Sequence, residues 1–310
     1  MKYIKELSEG SKIQGIYFCK SKALTETKNG KPYESVILQD KTGVLDSKVW
    51  DPYSPAIGEY EAGDYIEVTG DVIVYANALQ AKLYRIRKCQ EIEYDPADYM
   101  PVSKKDIYEM YEEVLQLTDS VQQKHLKELL ELFFKDEEFK KAFRNASAAK
   151  TIHHGFIGGL LEHSLSVAKL CNAMCDNYPI LNRDLLITAA LLHDVGKIRE
   201  LSPFPENDYT DDGQLLGHIY LGAQMVAEKV AQIKGFPAEL SRELQHCILS
   251  HHGELEYGSP KKPALIEALV LSMADNLDAK VETFTEQLDN NDRKGWLGYC
   301  KFLDTNIRRT

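Results

Sequence analysis

Between positions 163 and 275, histidine or aspartate recurs at five places within or at the end of otherwise apolar stretches. These are His163 in GGLLEHSLSVA, His193-Asp194 in ALLHDVGK, His218 in GHIYLGA, His251 in SHHGE and Asp275 in SMADNLDA. The gaps are 30, 25, 33 and 24 residues, about one helix and one loop each. A buried imidazole or carboxylate is costly unless it is paired or bound. One such residue could be a helix end emerging into water, but five in sequence constrain the fold more tightly. The helices must pack so that their polar groups meet, which is how bundles build metal sites in their cores. Imidazole and carboxylate without thiolate suit Mn, Fe, Co, Ni, Zn or Mg.

The first 95 residues are of another kind. ESVILQDKTGVLDSKVW at 34–50 reads as strand, Asp-Lys-Thr-Gly turn, strand. Its second half alternates Val44, Asp46, Lys48 and Trp50 against Leu45, Ser47 and Val49, the period of a half-buried strand. A further hairpin-like stretch follows at 63–88, with turn residues expected at Gly70-Asp71 and Ala76-Asn77. Short strands at this spacing predict a small barrel, and the Asp-Lys-Thr-Gly turn between two strands ending in Trp50 resembles an OB-fold hairpin, which implies a five-stranded barrel over 1–95. Such barrels hold oligonucleotides by stacking and a basic track. The segment offers Tyr17, Phe18, Tyr33, Trp50, Tyr75 and Tyr84, with Lys82, Arg85, Arg87 and Lys88. About half of these aromatics are expected in the core. Tyr33, Trp50, Lys82 and Arg85 are the candidates for contact with a strand.

At residue 96 the composition turns helical. Ser103 and Asp106 form an S-x-x-D capping box, and a second helix spans roughly 120–134. Residues 96–150 read as a helical connector packed onto the second domain, and from 151 onward every element reads as helix. The chain is therefore expected to combine α and β domains, with an all-α bundle over 151–310. Six scattered cysteines without a C-x-x-C pair suit a reduced compartment. The N-terminus has no apolar stretch fit for a signal peptide, and no run is long enough to span a bilayer. A cytoplasmic protein without a membrane partner is the expectation. The net charge of −11 argues against broad phosphate binding, but most of it falls on the C-terminal half, where it suits a collector of cations.

The order H…HD…H…H…D resembles the HD-domain metal-dependent phosphohydrolases. That resemblance implies one metal on His163, His193, Asp194 and Asp275, with Asp194 bridging to a second on His218 and His251. Paired cations clamp the attacking and leaving oxygens of a phosphoryl displacement, and cation-bound water ionises near pH 7. Asp194 and Lys197 would be catalytic. Lys197 lies four residues after His193 and three after Asp194, on a shared helical face, where its ammonium would meet a phosphate oxygen.

The remaining polar residues read more modestly. His125 reads as inert, and Asp278 as a solvated carboxylate. His252 is the weaker ligand, because on a helix it could not point with His251. His153 and His154 are candidates for the site entrance, Lys261 and Lys262 for phosphate contact, and loop 200–216 for overhanging the site.

Barrel, connector and HD region together are similar to the YhaM family of 3′–5′ exoribonucleases, through HHGFIGGLLEHSLSVA, HDVGK and HHGELEYGSPKKPALIEALVLSMADNLDAK. The resemblance implies Mn-stimulated release of nucleoside monophosphates from single-stranded RNA. It also implies activity on single-stranded DNA, and self-association into a homo-oligomer. Three alternatives stay open. They are a hydrolase of small nucleotides with a regulatory barrel, a binding protein with a structural HD site, and a di-iron oxygenase.

Overall fold

A computed structural model describes the chain except for residues 1, 28, 76–77, 96–97, 151–154 and 290–292. The expected turn at Ala76-Asn77 and the entrance candidates His153 and His154 lie outside the described residues. The chain divides into two compact units, Met1–Val102 and Ser103–Thr310.

The first unit is a closed barrel of β1 (Lys12–Glu26), β2 (Pro32–Asp40), β3 (Gly43–Val49), β4 (Tyr65–Tyr75) and β5 (Ala78–Lys88), in the order β1-β2-β3-β5-β4. All pairings are antiparallel except β3 with β5. A five-stranded closed barrel of this order is an OB-fold. Alternation builds it: Leu45, Ser47 and Val49 face inward, where Leu45 and Val49 join Ile13, Val36, Leu38, Ile66, Val68 and Ile86. The Asp40–Gly43 turn forms as its sequence dictates. The Asp40 carboxylate accepts from the Thr42 amide at 2.7 Å and hydroxyl at 2.6 Å, and from the Ile4 amide at 2.6 Å. The second expected turn does not form, because Gly70 and Asp71 lie inside a continuous β4. Gly70 instead marks a register shift against β5.

The second unit holds, among the described residues, α1 (Ile107–Ser120), α2 (Lys124–Phe134), α3 (Glu137–Asn145), α4 (Gly159–Asn177), α5 (Arg183–Leu192), α6 (Lys197–Glu200), α7 (Asp211–Val230), α8 (Ala238–Leu249) and α9 (Ile266–Asp289). Asp106 caps α1 by accepting from the amides of Tyr108 and Glu109. Leu126, Phe133, Phe134 and Phe143 of α2 and α3 share one core with Leu160, Leu161, Leu186 and Leu191 of α4 and α5. Helices α1 to α3 are thus part of the bundle itself. The helical reading of 151–310 missed one feature, an antiparallel hairpin of β6 (Gly295–Cys300) and β7 (Thr305–Arg309). At six and five residues its strands are too short to stand out from a helical background.

Candidate metal centre

Each of the five polar places sits on or just beyond a different helix. His163 lies in mid-α4 and Asp275 in α9. His193 and Asp194 occupy a turn after α5, so the shared helical face with Lys197 does not exist. The turn nevertheless brings Lys197, at the start of α6, to 2.8 Å from Asp194. It is held close to α7 by Gly196, where an added Cβ would stand 2.0 Å from the His218 carbonyl oxygen. His218 follows a break within α7 at Gly217, whose φ of 73° an L-residue adopts only under strain. His251 and His252 lie beyond the last turn of α8. Because they are off the helix, the geometric objection to His252 falls away, and one ligand atom each from His218, His251 and His252 lie within 4.8 Å of one another.

Every histidine of the cluster uses Nδ1 in the same manner. His193, His251 and His252 donate to the carbonyls of Ala190 (2.8 Å), Ile248 (2.7 Å) and Tyr257 (2.8 Å). His163 meets Asp278 at 2.7 Å and His218 meets Glu200 at 2.9 Å. A carbonyl only accepts, so Nδ1 of His193, His251 and His252 carries the proton and their Nε2 is left as a lone pair. The Nε2 atoms converge. His163 Nε2 is 3.2 Å from His193 Nε2, 3.2 Å from Asp275 and 3.5 Å from Asp194 Oδ2. His218 Nε2 and His251 Nε2 each stand 3.5 Å from Asp194 Oδ1.

Acceptors thus face acceptors in a space where His193 and His251 are fully buried and Asp194 is 1% exposed. Asp194 Oδ1, His218 Nε2 and His251 Nε2 have no hydrogen-bond partner. Such orphaned groups are costly, and a cation relieves them all. The donor spacings match the edges of a coordination shell with bonds of about 2.0–2.2 Å. The residues fit a divalent metal.

Electrostatics repeats the point. Burial opposes charge on His163, but hydrogen bonding to Asp275 and Asp278 outweighs it and lifts the imidazole to about 10. A proton there stands in for the missing positive charge. Burial, against the attraction of Asp194, pushes His193 down to about 4. Burial also opposes ionisation of Asp194, yet Lys197 and His193 hold it well below the usual carboxylate range.

Two residues escaped the sequence reading. Asp278 is not solvated; it is buried and accepts from His163 Nδ1 and from the Ser166 hydroxyl. Its position one helical turn after Asp275 could have revealed it. Glu200 accepts from both Nδ1 and the backbone amide of His218, each at 2.9 Å. It sits on a four-residue helix, too short to show periodicity.

A cavity of about 590 Å³ opens onto the cluster, lined by His163, Lys197, His251, His252 and Asp275 at one end and by Tyr257, Lys280, Phe302 and Leu303 elsewhere. Lys261 and Lys262 are not among its lining residues, and Lys262 pairs with Glu254 at 2.5 Å. Loop 200–216 does not line it either. Asn207 of that loop donates to the carbonyls of Ala149 and Lys150 and so braces the wall that Ala148 and Ala149 form.

In the barrel, Tyr17 and Phe18 are buried, whereas Trp50, Tyr75 and Tyr84 are exposed. Tyr33 of β2 stacks on Trp50 with centroids 4.9 Å apart. Lys82 and Arg85 are exposed on β5. Arg87 is taken up by Glu67 and Glu93, and Lys88 by Asp64.

Residues 160–280 match the HD domain family. The chain is similar to the second OB-fold domain of replication protein A from Methanococcus maripaludis, with 23% identity, 29% of this chain and 95% of that chain covered, and a TM-score of 0.24. The p204 HINb domain matches with 14% identity, 28% and 46% coverage, and a TM-score of 0.24. Over 283 residues the chain is 35% identical to the 3′-5′ exoribonuclease YhaM of Geobacillus sp. (strain WCH70), covering 90% of this chain and 86% of that protein. Identity to the Bacillus subtilis (strain 168) enzyme of the same name is also 35% over 283 residues, covering 90% and 88%. With such identity along nearly its whole length, the chain belongs to the YhaM family of 3′–5′ exoribonucleases.

Proposed function

We propose that this protein is a metal-dependent phosphodiesterase that removes nucleoside monophosphates from the 3′ end of single-stranded RNA, and also of single-stranded DNA. The observation that carries the reading is the convergence of Nε2 atoms on Asp194, where His218 Nε2, His251 Nε2 and Asp194 Oδ1 are buried without a hydrogen-bond partner. One ion would be held by His163, His193, Asp194 and Asp275, and a second by Asp194, His218 and His251, with His252 within reach of it. Manganese is the ion we expect. When bound, divalent ions polarise the phosphodiester and make water acidic enough to attack it at neutral pH.

The chain's own groups do the rest. Lys197 gives one N–H to Asp194 and another to the Ala148 carbonyl at 2.7 Å. An ammonium has three donors, so one is left for a phosphate oxygen. Asp278 and Glu200 fix the rings of His163 and His218. Tyr257 and Phe302 give the cavity aromatic surface on which a terminal base can stack. The barrel would hold the strand upstream, through Tyr33, Trp50, Lys82 and Arg85.

The reading includes a cytoplasmic, self-associating enzyme. No helix among the described residues is long and apolar enough to cross a membrane. The test is digestion of a 5′-labelled single strand with Mn, Mg or chelator. A ladder shortening from the 3′ end with Mn, silent in chelator, is expected. Turnover of free nucleotides with intact oligonucleotide would overturn the reading in favour of a small-nucleotide hydrolase.

A further inference from the structure

Helix α9 is apolar on two opposite faces. One face carries Asp275, Asp278 and the core residues Ala268, Leu271 and Ala274. The other carries Ile266, Leu269, Met273, Leu277, Val281 and Phe284, which are 38–60% exposed. A helix apolar all round is normally buried all round. The intervals along the exposed stripe are 3, 4, 4, 4 and 3, which average the helical repeat of 3.6. The stripe therefore runs straight along the helix for about 27 Å, at 1.5 Å per residue.

The intervals are also a palindrome about position 275. Turned end for end, the stripe superposes on itself: Ile266 falls opposite Phe284, Leu269 opposite Val281 and Met273 opposite Leu277. A flanking position agrees, since Val270 falls opposite Lys280, whose stem can lie along it. No like charges meet along the stripe. A two-fold interface needs such self-complementarity, each residue i meeting j as j meets i. Antiparallel helices also set their dipoles head to tail. Six large side chains about half exposed offer on the order of 500 Å² per copy, so a pair buries about 1,000 Å², the lower size of a specific interface.

We infer that α9 is a dimerisation helix, pairing antiparallel with α9 of a second copy about a two-fold axis beside Met273 and Leu277. This rests on the self-association proposed above and names its surface. Asp275 and Asp278 point away from the interface, so both metal centres stay open to substrate.

The test is sedimentation velocity of the full-length protein over a concentration series. Wild type is expected to dimerise. Met273→Glu and Leu277→Lys should each weaken association at least a hundredfold, and Leu277→Ala about tenfold. All should retain wild-type helicity, metal content and hydrolysis of a small chromogenic phosphodiester. The double variant Met273→Glu/Leu277→Lys should associate again, because each Glu then faces a Lys of the other copy. Single variants as dimeric as wild type would place the interface elsewhere and leave self-association standing. A monomeric wild type would overturn both, and would mean that another part of the same chain covers the stripe.

Discussion

The outer face of the barrel and the floor of the helical unit both gather charged side chains, and they dispose of them in opposite ways. On the barrel several of the groups satisfy one another. Lys48 donates to Asp46 and Ser35, Gln80 donates to Asp46, and Arg87 bridges Glu67 and Glu93. In the helical unit His193 and His251 are satisfied at Nδ1, while His218 Nε2, His251 Nε2 and one oxygen of Asp194 have no partner. A closed network of exposed pairs contributes little stability and asks for nothing further. An open, buried one is tolerable only when a ligand closes it. The location of the chemistry follows from which polar groups are left unfinished, rather than from how many are present.

The strongest way to break this contrast is at Asp194, the one carboxylate that faces both groups of imidazoles. Asp194→Asn removes the charge while keeping the shape. Turnover of a labelled oligonucleotide should fall at least a thousandfold, and bound metal measured by emission spectroscopy should drop. Appreciable activity in this variant, or in excess chelator, would mean that the cluster is structural.

A smaller loss is expected at Lys197. The lysine already pairs with Asp194, yet bound cations would compensate that carboxylate in its absence. Lys197→Ala should therefore keep its metal and lose about a hundredfold in kcat, the scale of losing one preorganised donor to the developing charge. Loss of metal together with rate would assign Lys197 to holding Asp194 alone.

The same contrast shows what could be read directly from the chain. The candidate ligands stood out because costly residues recurred at five places one helix apart, and the barrel because β3 alternates residue by residue. Other features depend on local backbone that periodicity does not encode. His252 looked the weaker ligand only while the chain was taken as helical there, and it lies in a turn. Glu200 gains its role from the break at Gly217, which aims the His218 amide and ring at one carboxylate oxygen. Asp278 differs, since its helical spacing from Asp275 was visible. Its burial depends on α4 packing against α9, where His163 comes to meet it.

Asp278 and Glu200 sharpen the contrast further, because they act on the metal only through an imidazole. Asp278→Ala and Glu200→Gln should weaken metal affinity about 10- to 100-fold, as removal of such outer partners does. Saturating metal should restore most of the rate, a rescue not expected of Asp194→Asn. If neither variant changes the metal concentration needed for half-maximal activity, the orientation of His163 and His218 is set by packing alone.

The smallest effects are expected where the polar groups are already satisfied, on the barrel. Tyr33 and Trp50 stack on each other, and Trp50 is 40% exposed, so a base can extend the stack without dismantling it. Stacking is worth about 1–3 kcal/mol per base, so Trp50→Ala should raise KM for a long oligonucleotide about tenfold. Its kcat and its metal content should not change, because every proposed ligand lies at or beyond His163. Lys82→Ala and Arg85→Ala should each reduce the salt dependence of strand binding by about one phosphate contact. Arg87→Ala should not, since Glu67 and Glu93 already neutralise it. The control is a small chromogenic phosphodiester. Equal losses on that reporter and on the oligonucleotide would mean that Trp50 supports the fold. Losses on the oligonucleotide alone would place the strand on the face formed by β2, β3 and β5.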